Sequence, residues 1–223
     1  MTKAFNDIAK YGLAERTHFS DGWMCPLYKK NDKCDIANYQ PITLLNTDYK
    51  IFTRVLATKL GKVAPDLLHH NQAGFMPRRQ ISDQTKLIRM VMASAEQSAQ
   101  NRLIVSLDQE KAYDKVDHEY LWKTLEKFEL PAEFIMAVQH LYKPAKTSVM
   151  VNGVKSDTYN VIRGVWQGDP LSCLIFDLAI ELLAAMLRNS TLQGFKIPGV
   201  TERLIANLFV DDTTVFLAVT DDF

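Results

Sequence analysis

The 223-residue chain has no internal repeat, no low-complexity tract and no Gly/Ser linker, so composition marks no domain boundary within it. It has no net charge either: 26 Lys and Arg balance 26 Asp and Glu, which argues against a uniformly polyanion-binding surface. Cysteine is scarce. Cys25, Cys34 and Cys173 show no CxxC spacing and the five histidines form no ligand pattern, so neither a zinc site nor a disulfide framework is expected. Long hydrophobic runs are missing as well. The first seven residues hold no signal-peptide core, and the best candidate for a membrane span, residues 178–187, is short and contains Glu181. An intracellular protein of the nucleus or cytoplasm, away from membranes, is the expectation.

What is present is a composition of 47% hydrophobic and 23% charged residues, that of a folded chain able to build one large domain or two small lobes. The charge is unevenly distributed. Residues 29–89 carry eleven Lys and Arg against five Asp, and the remainder carries fifteen basic against twenty-one acidic residues. A basic surface for phosphates beside an acidic cluster for metal would suit a nucleic-acid enzyme; ordinary surface mixing accounts for the same numbers.

Strand character is expected over 22–30, then helices over 48–63 and 80–98 from apolar residues at helical spacing. Residues 71–79, with Gly74 and Pro77, read as an irregular loop. Helices over 117–128 and 131–141 open with an Asp cap and a first-turn Pro. Asn152-Gly153 marks a hairpin within 147–162, and residues 169–187 form the most apolar helix. The pattern is α+β with an antiparallel sheet packed on helices.

Two places concentrate carboxylates beside strand-like runs. Phe209-Val210-Asp211-Asp212 lies between apolar runs, putting adjacent acids at a hairpin tip, and Asp108 directly follows the run 102–107. Carboxylates from the ends of two β elements can meet and hold two divalent ions about 3.5–4 Å apart, the arrangement used for in-line phosphoryl transfer. Taken alone, an Asp-Asp pair is more often a polar turn.

Five ordered blocks carry the argument further. Asp108-Gln109-Glu110-Lys111-Ala112-Tyr113-Asp114, then Arg163-Gly164-Val165-Trp166-Gln167-Gly168-Asp169-Pro170-Leu171-Ser172, then Phe209-Val210-Asp211-Asp212 resemble the three palm motifs of reverse transcriptases. Asn38-Tyr39-Gln40-Pro41-Ile42-Thr43-Leu44-Leu45-Asn46 and Asn71-Gln72-Ala73-Gly74-Phe75 look like the fingers of the non-LTR, LINE-type retrotransposon branch.

The resemblance implies an RNA-directed DNA polymerase with fingers over 1–101 and palm over 102–223, and with thumb and endonuclease regions beyond this chain, which reads as a truncated piece. It implies an RNA template, a DNA primer and deoxynucleoside triphosphates as partners, and two Mg²⁺ ions held by Asp108 and Asp211 with Asp212 as auxiliary. Tyr113 would exclude a 2′-hydroxyl, Gln167 and Gly168 would meet the nascent base pair, and Lys29 and Lys30 would contact phosphate. Glu110, Asp114 and Asp177 are read as surface or capping acids.

Three positions depart from the family's pattern. Gln40 stands where an Arg usually contacts the incoming triphosphate, Trp166 where Arg or Lys is usual, and Val210 where Ala is usual. Each is one transition from the usual codon, which fits a decaying copy and equally lineage variation, and the alternative function is an inactive remnant that at most binds nucleic acid. An RNA-templated RNA polymerase is disfavoured because Tyr113 would obstruct ribonucleotides.

Overall fold

A computed structural model describes residues 2–14, 17–97, 102–197 and 201–221. In chain order the elements are α1 (Thr2–Tyr11), β1 (Gly22–Tyr28), β2 (Tyr39–Leu45), α2 (Thr47–Leu67), α3 (Ile81–Gln97), β3 (Arg102–Leu107), α4 (Ala112–Lys115), α5 (His118–Lys127) and α6 (Ala132–Tyr142). There follow β4 (Lys146–Val151), β5 (Val154–Lys155), β6 (Tyr159–Asn160), α7 (Ser172–Arg188), β7 (Phe195–Lys196), β8 (Arg203–Leu204), β9 (Ala206–Phe209) and β10 (Asp212–Ala218). The α+β class is as expected. Among the described residues no helix is long and apolar enough to cross a membrane.

The chain divides into two compact units, residues 1–60 with 113–175 and residues 61–112 with 176–223. The expected fingers–palm boundary is a functional division, and its last fingers residue, 101, lies outside the described residues.

In the first unit β1 pairs antiparallel with β2 and parallel with β4, so the hairpin over 146–155 joins the β1–β2 sheet. Asn152 and Gly153 turn that hairpin at φ 51° and 80°, the left-handed values that Asn and Gly adopt most readily. Asp117 caps α5 by accepting from the Tyr120 N–H, as its spacing predicts. Helix α1, which sequence periodicity did not announce, sets Phe5 against Phe52 with ring centroids 5.2 Å apart.

Trp166 belongs to the core of this unit. Its indole is 4% exposed, beside Tyr49, and a Cβ on Gly22 would lie 3.4 Å from the ring. Asp169 is buried too, its Oδ2 accepting from the Ser172 N–H (3.1 Å) and Oγ (3.0 Å) at the start of α7, with burial raising its pKa.

The second unit is a three-stranded antiparallel sheet, β3-β10-β9, covered on both faces. On one face Phe216, Ile104 and Leu204 pack with Val91, Leu87 and Ile88 of α3 and with Phe195. On the other, Val215, Leu217, Val105, Leu107 and Ile205 pack with Leu187 and Leu192. Double coverage explains why residues 215–217 read as a continuous apolar run instead of alternating.

Asp177, expected at the surface, is wholly buried in α7, and neither of its oxygens has a hydrogen-bond partner. Burial, followed by the charge of Glu181, pushes its pKa up to about 8, against the lowering effect of Arg79. Glu181, itself raised by burial, bonds Arg188. Arg79 spends its guanidinium on carbonyls: Nη1 donates to His69 and Gln72 (both 2.7 Å) and Nη2 to Pro65 (3.1 Å) and Leu68 (3.2 Å), closing the end of α2.

An acid whose folded pKa is raised binds more protons folded than unfolded, so stability falls as pH climbs from about 4 to about 8, at up to about 1.4 kcal/mol per pH unit. Asp177→Asn should flatten that decline and raise the urea midpoint at pH 8. Trp166→Arg should cost about 2–4 kcal/mol in the same assay, because it loses the packing of a buried indole and puts a guanidinium in its place.

Candidate metal and nucleotide site

The acidic hairpin forms because β9 and β10 pair with Asp212 opposite Phe209, leaving Val210 and Asp211 as the two turn residues. Asp212 is therefore the first residue of β10 and Asp211 sits at the tip. On the other side of β10 the register runs from Ala218 opposite Arg102 to Thr213 opposite Leu107. Asp108 is the first residue beyond β3, next to this last pair, as Asp212 is the first residue of β10. Asp108 and Asp212 are exposed and Asp211 is half-buried. The donor set is three hard carboxylates on adjoining strand ends, open to solvent, which suits a hard divalent cation.

The three carboxylates do not draw one oxygen each to within 4.8 Å of all the others. Among the described residues, the His, Cys, Asp and Glu side chains that do are His69, His70 and Glu202. His69 Nε2 lies 2.8 Å from Glu202 Oε1, and His70 Nε2 lies 3.8 Å from Oε2. Burial, then Arg188 and His70, lowers the His69 pKa. Sequence spacing missed this trio because Glu202 lies 133 residues beyond His69.

The turn itself is conformationally costly. Val210 has φ +59°, a left-handed value that a β-branched residue rarely adopts. Segment 71–74 runs alongside β9: the Ala73 N–H donates to the Leu208 carbonyl (3.0 Å), and the Leu208 N–H to the Asn71 carbonyl (2.9 Å). The loop expected over 71–79 is present, and its start pairs with β9 through an isolated bridge at Gln72; Gly74 fits there because a Cβ would lie 2.6 Å from the Val210 nitrogen.

The remaining sequence-predicted residues lie in the first unit. Lys29 and Lys30 are exposed just past the end of β1. Gln40 and Gln167 are brought together, Gln40 Nε2 donating to Gln167 Oε1 at 3.1 Å, while the Gln167 carbonyl accepts from the Thr43 N–H at 3.3 Å. Gly168 has φ +104°, a value that strains any other residue. Tyr113, half-buried in α4, accepts the Val165 N–H on its carbonyl at 2.8 Å, and the Gly164 N–H reaches the Val116 carbonyl at 2.7 Å. Gly164 (φ +87°) presses so close that a Cβ would lie 3.0 Å from the Asp114 carbonyl oxygen. The first and second motif blocks are thereby joined backbone to backbone. A cleft of about 460 Å³ beside them is lined by Thr43, Asp114, Tyr159, Arg163 and Gln167 among others.

Comparison with known proteins gives these geometries a family. A family model described as reverse transcriptase (RNA-dependent DNA polymerase) matches residues 28–222. The Xenopus laevis transposon TX1 uncharacterized 149 kDa protein is 35% identical over 186 residues, which are 83% of this chain and 14% of that one. The Pol polyprotein of the type-1 retrotransposable element R2 from Nasonia vitripennis is 29% identical over 216 residues, 97% of this chain and 20% of that one. The chain therefore spans a fifth or less of these curated relatives. Among solved structures, telomerase from Candida tropicalis in complex with a TWJ fragment of telomeric RNA has a TM-score of 0.62 at 14% identity, over 99% of this chain and 40% of that one, a likeness of fold. With the family model covering nearly everything from Tyr28 onward and the motif blocks in order, the chain belongs to the reverse transcriptase family, in its non-LTR retrotransposon branch.

Proposed function

We propose that this chain extends a DNA primer on an RNA template, and the observation that carries the reading is the pairing of β3 with β10, which ends at Leu107 and Thr213 next to Asp108, Asp211 and Asp212. Divalent metal dependence goes with the family. Asp108, Asp211 and Asp212 would hold two Mg²⁺ ions, which when bound lower the pKa of the primer hydroxyl and neutralise the triphosphate. The protein's own part is positioning. Tyr113 excludes a 2′-hydroxyl by bulk. Gly168 lets backbone approach the nascent pair, and Gln167 offers it both a donor and an acceptor. Lys29 and Lys30 neutralise phosphate. RNA template, DNA primer and deoxynucleoside triphosphates are the partners in this reading, and an intracellular compartment, nucleus or cytoplasm, is where they meet.

One observation favours a second reading, an inactive copy that at most binds nucleic acid. Gln40 is a neutral amide bonded to Gln167, and it cannot supply the charge-assisted, bidentate phosphate contact of an Arg. Because Gln40 is exposed, an Arg there leaves the core untouched, unlike an Arg at Trp166.

Primer extension on an RNA template with Mg²⁺ and deoxynucleotides decides between them. Metal stabilisation of the transition state is worth several kcal/mol, so Asp211→Asn should lower extension about a thousandfold. Gln40→Arg should raise it, and Tyr113→Ala should admit ribonucleotides. Extension unaffected by Asp211→Asn would overturn the polymerase reading. Silence in the native chain with recovery in Gln40→Arg would favour the inactive copy.

A further inference from the structure

Gln72 is wholly buried, a position that a primary amide tolerates when its donors and acceptor are used. Its Oε1 accepts two backbone N–H groups, from Gly74 at 2.9 Å and from Val210 at 3.1 Å. Its Nε2 donates to the Val210 carbonyl at 3.3 Å. One side chain thus satisfies both polar backbone groups of the residue that precedes the acidic pair. The bond spans 138 residues of sequence, so hairpin propensity does not supply it.

The grip falls where the backbone needs it. Val210 at φ +59° holds a conformation costing about 1–3 kcal/mol, and such residues persist where their surroundings over-determine them. The surroundings here are the Gln72 amide, the close approach of Gly74, and the strand-like pairing of residues 71–73 with Leu208. Asn71 adds a side-chain bond from Nδ2 to the Ala206 carbonyl at 3.0 Å. The segment is anchored in turn by Arg79, whose Nη1 binds the Gln72 carbonyl at 2.7 Å. A turn that relaxed to negative φ at Val210 would redirect the next two residues, Asp211 and Asp212.

We propose that Gln72 is a positioning residue for the acidic turn: by clamping both backbone polar groups of Val210 it fixes the direction of Asp211 and Asp212 and so sets the affinity for divalent metal. The inference rests on the reading that these carboxylates are the metal ligands. It assigns to Gln72 an effect on metal affinity that exceeds its effect on folding.

The test titrates Mn²⁺ into the full chain, followed by electron paramagnetic resonance at a temperature well below the unfolding midpoint, without nucleic acid. Four chains are compared with the native one. Gln72→Leu removes all three bonds at nearly constant volume, and Gln72→Glu keeps the acceptor for both N–H groups as a milder variant. Val91→Ala cuts the core under α3 as a stability control, and Asp211→Asn removes a proposed ligand. Gln72→Leu should weaken Mn²⁺ binding at least tenfold, Gln72→Glu less, and Val91→Ala not at all. Amide hydrogen exchange at Val210 and Gly74 should rise in Gln72→Leu. Native affinity in Gln72→Leu, or equal weakening in Val91→Ala, overturns the positioning role while Asp211→Asn still shows its loss. Unchanged binding in Asp211→Asn overturns the ligand reading and the inference with it.

Discussion

The carboxylates depend on one register, Thr213 against Leu107, and that register is set by the core rather than by the acids. Phe216 and Ile104 belong to the cluster under α3, Val215 and Val105 to the cluster under Leu187 and Leu192. A slip of one residue would carry each set to the opposite face, where the partners differ in shape. Packing some residues away therefore decides which strand ends carry the three acids next to one another, and close-packed interiors resist such shifts.

Within that register the turn is a local conflict resolved by distant chain. Two residues connect β9 to β10, and the first must take positive φ although it is valine. Glycine or asparagine would adopt this φ with less strain. The chain keeps valine and recruits segment 71–74, so the acidic tip is not an independent hairpin. Its shape is tied to residues that also close the C-terminus of α2 through Arg79.

Features carried by short-range rules were legible in the sequence. The Asn152-Gly153 turn, the Asp117 cap and the acidic hairpin follow from local chemistry, and the motif blocks gave the family. Features created by long-range contact were not. Residues 71–74 are a loop, as Gly74 and Pro77 indicate, but their pairing with Leu208 was not legible, because β9 lies too far along the chain to announce itself as a partner. Asp177 looks like a surface acid because helical spacing says nothing about which face of a nearly all-apolar helix is covered. The grouping of His69, His70 and Glu202 fails for the same reason: ligand spacing rules presume proximity in sequence.

The departures from the family's pattern separate once burial is considered. Trp166 packs beside Tyr49, so an ionised Arg there would meet a low-dielectric core. Gln40 is exposed and its amide finds Gln167, so nothing in the fold depends on a guanidinium there. Val210 lies between: its backbone is strained, but Gly74 and Gln72 accommodate it. Persistence of the fold is thus no measure of persistence of the chemistry. Of the three positions only Gln40 is exposed, so only there can the side chain change without disturbing anything that holds the chain together. A substitution among them that spares the fold therefore falls on Gln40 first.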